Sequence, residues 1–277
     1  TAIGHSSIYT GSVPALTGIL GNSFFINGEK AYCCGDDSVE TVGSKSKEGK
    51  MSPRRLLAST IGDELKLATD FKSKVVGVAL KDRAAILPAG HCADAAYWWD
   101  SSEGRFITST YYMNKLPAWV EQFNKAHQQK KGFDVKSTPK GITLTFDMAE
   151  AALKNERLGQ GTETDMLTVS ISSTDIIGHI YSTRGSEIHD AYIQLDRELD
   201  RFFNTLDAQL GRGNYLVFLT ADHGGAHNPN FMRANKLPAG GFEGWTLVKK
   251  LNKELQQAMG TTANLVLGEN ALRVYLD

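Results

Sequence analysis

Three stretches of the chain share one pattern: an apolar run of five or six residues gives way abruptly to charged or metal-capable side chains. Val75-Val76-Gly77-Val78-Ala79-Leu80 leads into Lys81-Asp82-Arg83, Met166 to Ile171 leads into Asp175, and Tyr215-Leu216-Val217-Phe218-Leu219 leads into Asp222-His223. Continuous rather than alternating hydrophobicity over that length predicts strands buried on both faces, and hence a mostly parallel sheet. Helical patterns fill the intervals. Ser52-Pro53 reads as an N-cap with proline at the first helical position, followed by Leu56, Leu57, Ile61 and Leu65. From Gly185, the residues Ile188, Tyr192, Leu195, Leu199, Phe202, Leu206 and Leu210 form a long apolar stripe that stops at Gly211, and Leu247, Leu251, Leu255 and Met259 repeat the device before Gly260. The class that follows is α/β, a mostly parallel central sheet with helices on both faces. Two stretches interrupt the alternation. Tyr97 to Tyr112 reads as an aromatic hairpin turning at Ser101-Ser102-Glu103-Gly104, and Gln128 to Lys140 is polar. They suggest a small cap inserted roughly over residues 88–140 of a core that occupies 1–277.

Composition narrows this picture in a few places. With 41% hydrophobic and 22% charged residues, the 277-residue chain can bury a large core and carries no mark of disorder. A formal net charge of -1 argues against nucleic-acid binding, which needs a clustered cationic face. The longest basic cluster, Lys130-Lys131 with Lys136 and Lys140, reads as a solvated loop. No apolar run approaches the roughly 18 to 20 residues of a membrane span. Cys33 and Cys34 are adjacent and Cys92 leaves the count odd, so reduced, partly buried thiols are expected rather than a disulfide framework.

In a sheet of this kind, ligands bind beyond the carboxyl ends of the strands, where the polar clusters fall. Asp175 and His179 are four apart, so a helical turn after the strand puts them on one face, able to share a metal ion. Asp222-His223 sits in "LTADHGG", where Gly224-Gly225 frees the backbone to turn both side chains toward one crevice. Two clusters aimed at one edge suggest a binuclear site. Oxygen and nitrogen donors without thiolate favour zinc.

With "TAIGHSSIYTGSVPALTGILGN", "VALKDRAAILPAGH", "SSTDIIGH" and "LTADHGG" in that order, the sequence resembles the alkaline phosphatase superfamily. Within it, the resemblance is to the branch that joins type I phosphodiesterases and nucleotide pyrophosphatases to threonine-nucleophile alkaline phosphatases of the PafA type. It implies an alkaline-phosphatase-like core holding two Zn2+, and hydrolysis of small phosphate monoesters through a phosphothreonine intermediate in the periplasm or outside the cell. Thr1 matches the nucleophile at a helix N-terminus, with His5 and Thr10-Gly11 in their usual places. Asn22 matches a donor to a phosphoryl oxygen. Asp175 and His179 match ligands of one zinc; Asp222 and His223 match ligands of the other, which also binds Thr1. Lys81 and Arg83 match the pair that marks monoesterases, and the physics agrees, because a monoester dianion carries one more charged oxygen than a diester. In extended geometry the two side chains share one side of the strand and Asp82 takes the other. His227 receives no role.

The family's upstream metal-ligand aspartate and its distal zinc-ligand histidine have no counterpart here, which implies truncation at both ends. Relatives also tend to carry a longer insertion at "HQQKKGFDVKST". A phosphodiesterase or nucleotide pyrophosphatase on the same scaffold is the main alternative, and Lys81 with Arg83 speaks against it. An N-terminal-nucleophile hydrolase, with the Thr1 amine as its own base, would need neither metal nor Asp222-His223. A non-enzymatic binding domain with a degenerate metal site is the third reading.

Overall fold

The structure is a computed structural model that describes residues 1–130, 132–241, 243–270 and 273–277. Lys131, part of the basic cluster, lies outside the described residues. The chain begins with helices α1 (Ala2–Thr10) and α2 (Pro14–Thr17), the hairpin β1 (Ser23–Ile26) and β2 (Glu29–Tyr32), and the short strand β3 (Thr41–Val42). Next come α3 (Ile61–Ala68), β4 (Val75–Ala79), α4 (Asp82–Ala89), β5 (Ala95–Asp100), β6 (Arg105–Ser109), α5 (Ala118–Ala126), α6 (Lys140–Asn155), β7 (Met166–Ser170) and α7 (Ser172–Tyr181). The remainder is α8 (Ser186–Leu210), α9 (Pro229–Ala234), α10 (Gly244–Met259) and a hairpin of β8 (Val266–Asn270) and β9 (Arg273–Leu276). No helix among the described residues is long and apolar enough to cross a membrane.

The central sheet has the order β3-β6-β5-β4-β7. Its middle is parallel, with Val76 opposite Ala95 on one side of β4 and Leu167 on the other, while β6 pairs antiparallel with both β5 and β3. All five residues of β4 are buried, as a continuous apolar run requires when both faces are covered. Side-chain alternation divides the interior in two. Val76, Val78, Tyr97, Trp99 and Phe106 pack with α6 and α8, whereas Ala79, Ala96, Trp98 and Ile107 pack with α1 and α4. The second face is close: a Cβ on Gly77 would collide with the carbonyl of Ala85, so α4 lies on β4 only because glycine stands there.

Several sequence expectations meet a different outcome. The aromatic hairpin at 97–112 exists, but its strands are β5 and β6 of the central sheet. Its rings fill the core: Tyr97, Trp98 and Trp99 are all buried. The helix expected from Ser52-Pro53 begins instead at Thr60, because Thr60 and Asp63 form a reciprocal capping box that Ser52 has no partner to match. Leu57, counted toward the earlier helix, is exposed. The strand expected at Tyr215 to Leu219 is absent. Tyr215 donates its hydroxyl to Asp207 at 2.7 Å and Phe218 lies against Tyr9, but Leu216 is 92% exposed and Leu219 73%. An apolar run becomes a strand only where a neighbour supplies ladder partners, and none of the described residues pairs with this one.

Asp63 ties the capping box to the start of β5. It accepts from Thr60 N at 2.8 Å, from Cys92 N at 2.7 Å and faces His91 Nδ1 at 3.2 Å. Burial pulls its carboxyl up, but His91 and the two backbone donors outweigh that and hold its pKa at about 2. His91 is raised in turn, first by its bond to Asp63. The lowered Asp63 pKa contributes stability that is present above the ordinary carboxylate value and lost as pH falls toward 2. The raised His91 pKa contributes stability present below its ordinary value and lost as pH rises through the folded one. Asp63→Ala is expected to cost about 3 kcal/mol at pH 7, the sum of a lost cap and an unsatisfied buried donor. Urea unfolding from pH 3 to 9 checks both: the difference between wild type and variant should narrow at each end, and a flat difference would sink the account.

Candidate active site

Helix α1 carries Thr1 at its N-cap, where unpaired backbone N–H groups favour an anion. The Thr1 side chain makes no capping bond, so its hydroxyl is not committed to the helix end. Ala2 N donates to Asn22 Oδ1 at 3.0 Å, and Cys33 N donates to the Asn22 carbonyl at 3.0 Å. Asn22 is thereby fixed beside Thr1 while its Nδ2 keeps its donors. Thr10 closes the same helix by donating to Ser6 O, and Gly11 follows in the left-handed conformation. The segment bearing Asp222 crosses α1 at Gly4, where a Cβ would collide with the Asp222 carbonyl.

Strand β7 ends at Ser170 and α7 starts two residues later, which puts Asp175 in the first turn and His179 one turn on, as the four-residue spacing predicts. His179 Nε2 and His223 Nε2 each lie 3.1 Å from Asp175 Oδ1. Ligand atoms of these three residues are all within 4.8 Å of one another. Asp222 Oδ2 lies 3.2 Å from His5 Nδ1, 3.5 Å from Thr1 N and 4.0 Å from His223 Nε2. His5 bridges Asp222 and the end of β7, its Nε2 meeting Ser170 Oγ at 2.8 Å. The sequence pairs Asp222 with His223; in the structure His223 Nε2 stands 3.1 Å from Asp175 Oδ1 and 4.0 Å from Asp222 Oδ2, between the two carboxylates.

Both carboxylates are held ionised. Burial pulls the Asp222 carboxyl up, but His5 above all keeps it well below the ordinary range. Burial acts likewise on Asp175, and Lys81, His179 and His223 outweigh it. Asp175 Oδ1 and Asp222 Oδ2 are buried yet receive no hydrogen bond from the described residues, although imidazole nitrogens face both. Buried acceptors left open toward nitrogen lone pairs are what a divalent cation would satisfy, so the donors present fit a metal.

Lys81 and Arg83 do not share one side of a strand. β4 stops at Ala79; Lys81 is the N-cap of α4 and Arg83 stands in its first turn. The helix separates them: Lys81 Nζ pairs with Asp175 Oδ2, whereas Arg83 Nη1 donates to Tyr32 Oη at 2.9 Å. Asp82, expected on the opposite side, accepts from the same Tyr32 hydroxyl at 2.9 Å. Arg83 Nε is buried without a hydrogen-bond partner among the described residues. Tyr32 and Ser170 were not among the sequence candidates, because nothing in their spacing reports a contact 50 or 165 residues away. His227 bonds Thr183 and lies tilted against Phe231, with ring centroids 4.7 Å apart. Cys33 and Cys34 are reduced and wholly buried, their sulfurs 4.0 Å apart.

The chain belongs to the type I phosphodiesterase/nucleotide pyrophosphatase family, whose model matches residues 1–250. Within that family it is 42% identical to alkaline phosphatase PafA of Elizabethkingia meningoseptica, over 100% of this chain and 60% of that one. It is 44% identical to a Myroides odoratus protein named as a calcium-transporting ATPase, again over 100% of this chain and 60% of the relative. A crystal structure of wild-type alkaline phosphatase PafA superposes with a TM-score of 0.94 at 41% identity, covering 100% of this chain and 62% of that one. The chain thus spans about three fifths of the length of these relatives.

Proposed function

We propose that the protein is a zinc-dependent phosphate monoesterase that works through a phosphothreonine intermediate at Thr1, in the periplasm or outside the cell. The carrying observation is the convergence of Thr1, Asn22, Asp175, His179, Asp222, His223 and Lys81 at the carboxyl edge of the sheet. Asp175, His179, Asp222 and His223 would hold two zinc ions, which when bound supply Lewis acidity toward phosphoryl and hydroxyl oxygens. Thr1 Oγ attacks phosphorus as the ester oxygen leaves, and water then cleaves the phosphothreonine from the opposite side. The N-terminus of α1 and Asn22 Nδ2 face the charge that grows on the phosphoryl oxygens. Lys81 supplies positive charge for the third oxygen, which a diester would cover with its second substituent, while Arg83, held on Tyr32, stands on the other side of the helix start.

Hydrolysis of p-nitrophenyl phosphate against bis-p-nitrophenyl phosphate by the zinc-reconstituted full-length protein tests this reading. A strong monoester preference is expected. Lys81→Ala should lower monoester kcat/KM about 10²-fold, the scale of one lost charge-stabilising donor, with the diester changed by a few-fold. A diester preference in wild type would place the enzyme with the phosphodiesterases, and equal losses on both substrates would remove Lys81 as the reader of the monoester dianion.

A further inference from the structure

A groove of about 910 Å³ opens between the β1–β2 hairpin and the α10–β8 unit, and Asn22 lines one end of it. Asn22 also accepts from Ala2 N, so one residue that lines the groove is bonded to the helix end that bears Thr1. Its walls are held firmly. Asn252 on α10 donates to Val266 O at 2.9 Å and accepts from Val266 N at 2.8 Å. Phe25 packs on Tyr275 with ring centroids 4.7 Å apart, and Asn270 bonds the Ser23 carbonyl across the same seam.

The charge on those walls is one-sided. Lys30 of β2 and Lys249 and Lys253 of α10 line the groove, against a single acid, Glu269. None of the three lysines has a carboxylate within ion-pair reach among the described residues, although Lys250, on the next face of the same helix, is 3.9 Å from Glu254. Lys249 and Lys253 are four apart on one helical face, a like-charge spacing that destabilises a helix unless an anion lies between. Trp245, one turn earlier, lines the groove and is 68% exposed overall. A flat aromatic floor beside unpaired ammonium groups suits a ligand that has both a ring face and negative charge.

We infer that this groove is a leaving-group subsite selecting phosphate monoesters whose leaving group bears a second anionic group, a phosphate or carboxylate. The scissile phosphoryl group lies at Thr1 and Asn22, the body of the leaving group covers Trp245, and its second anion meets Lys30, Lys249 and Lys253. The inference rests on the phosphatase reading for turnover, but not for binding.

Two measurements on the full-length protein separate these. Tryptophan emission is titrated with myo-inositol hexasulfate, a polyanion that is not a phosphate ester, and kcat/KM is measured for fructose 1,6-bisphosphate and fructose 6-phosphate. Lys249→Gln combined with Lys253→Gln should weaken hexasulfate binding about tenfold, the scale of two exposed charged contacts. The same variant should lower the bisphosphate kcat/KM by a similar factor and leave the monophosphate unchanged. Lys45→Gln with Lys47→Gln, an exposed pair away from the groove, should alter neither. Equal weakening by the two double variants, or unchanged binding in the first, would overturn the subsite. If wild type hydrolyses neither sugar phosphate while hexasulfate binding depends on Lys249 and Lys253, the phosphatase reading fails and the groove stands.

Discussion

Thr1→Ala in the full-length protein should lower hydrolysis of p-nitrophenyl phosphate at least ~10³-fold, the scale on which removing a covalent nucleophile acts. Little stability should be lost with it. The Thr1 side chain makes no capping bond, so truncating it removes no hydrogen bond from the end of α1. The melting temperature should therefore stay within a few degrees of wild type, which separates a chemical loss from an unfolded protein. Thr1→Ser keeps the hydroxyl and should retain measurable turnover. Rapid-quench labelling gives the decisive second readout: ³²P from substrate should become acid-stable on wild type and on the serine variant, but not on the alanine one. Near-normal turnover by Thr1→Ala would end the nucleophile assignment, whatever happened to the metal.

The other large effect is expected at Asp175. Its Oδ1 faces two imidazoles and its Oδ2 pairs with Lys81, so a single carboxylate links the candidate metal ligands to the candidate substrate cation. Asp175→Ala should remove about one equivalent of tightly bound zinc, measured by mass spectrometry after dialysis, because His179 and His223 would be left without an oxygen donor. Activity should fall by about 10² or more, since a metal ligand and the orientation of Lys81 disappear together. Asp222→Ala should leave the zinc at Asp175 in place while removing the other equivalent. Identical stoichiometry in wild type and Asp175→Ala would show that this cluster is a polar network and no metal site.

The tertiary structure also explains why some site residues were legible early and others were not. Asp175 and His179 could be read from spacing alone, because a helix repeats every 3.6 residues and the apolar run before them marks where the strand ends. Lys81 and Arg83 could be found but not placed. An extended dipeptide and a helix N-terminus give opposite relations between residues two apart, and the chain turns helical one residue earlier than the extended reading assumed. Tyr32 and Ser170 carry hydrogen bonds that hold the site together, yet their partners lie on other elements, and local pattern holds no information about that.

What the sequence determined by itself is the local chemistry: buried strands from unbroken apolar runs, the long helix ending at Gly211, and strand ends tipped with groups able to bind metal and phosphate. These follow from period and residue type, which act over a few residues. Only the tertiary structure decided which side chains meet. It brought His223 to Asp175, Asp222 to His5, and Arg83 to Tyr32. It left Tyr215 to Leu219 outside the sheet despite an apolar pattern equal to that of β4. The physical reason is the same throughout. A side chain carries its own chemistry, but a hydrogen-bonded ladder, an ion pair or a metal cluster needs a second group, and the fold alone sets where that group stands.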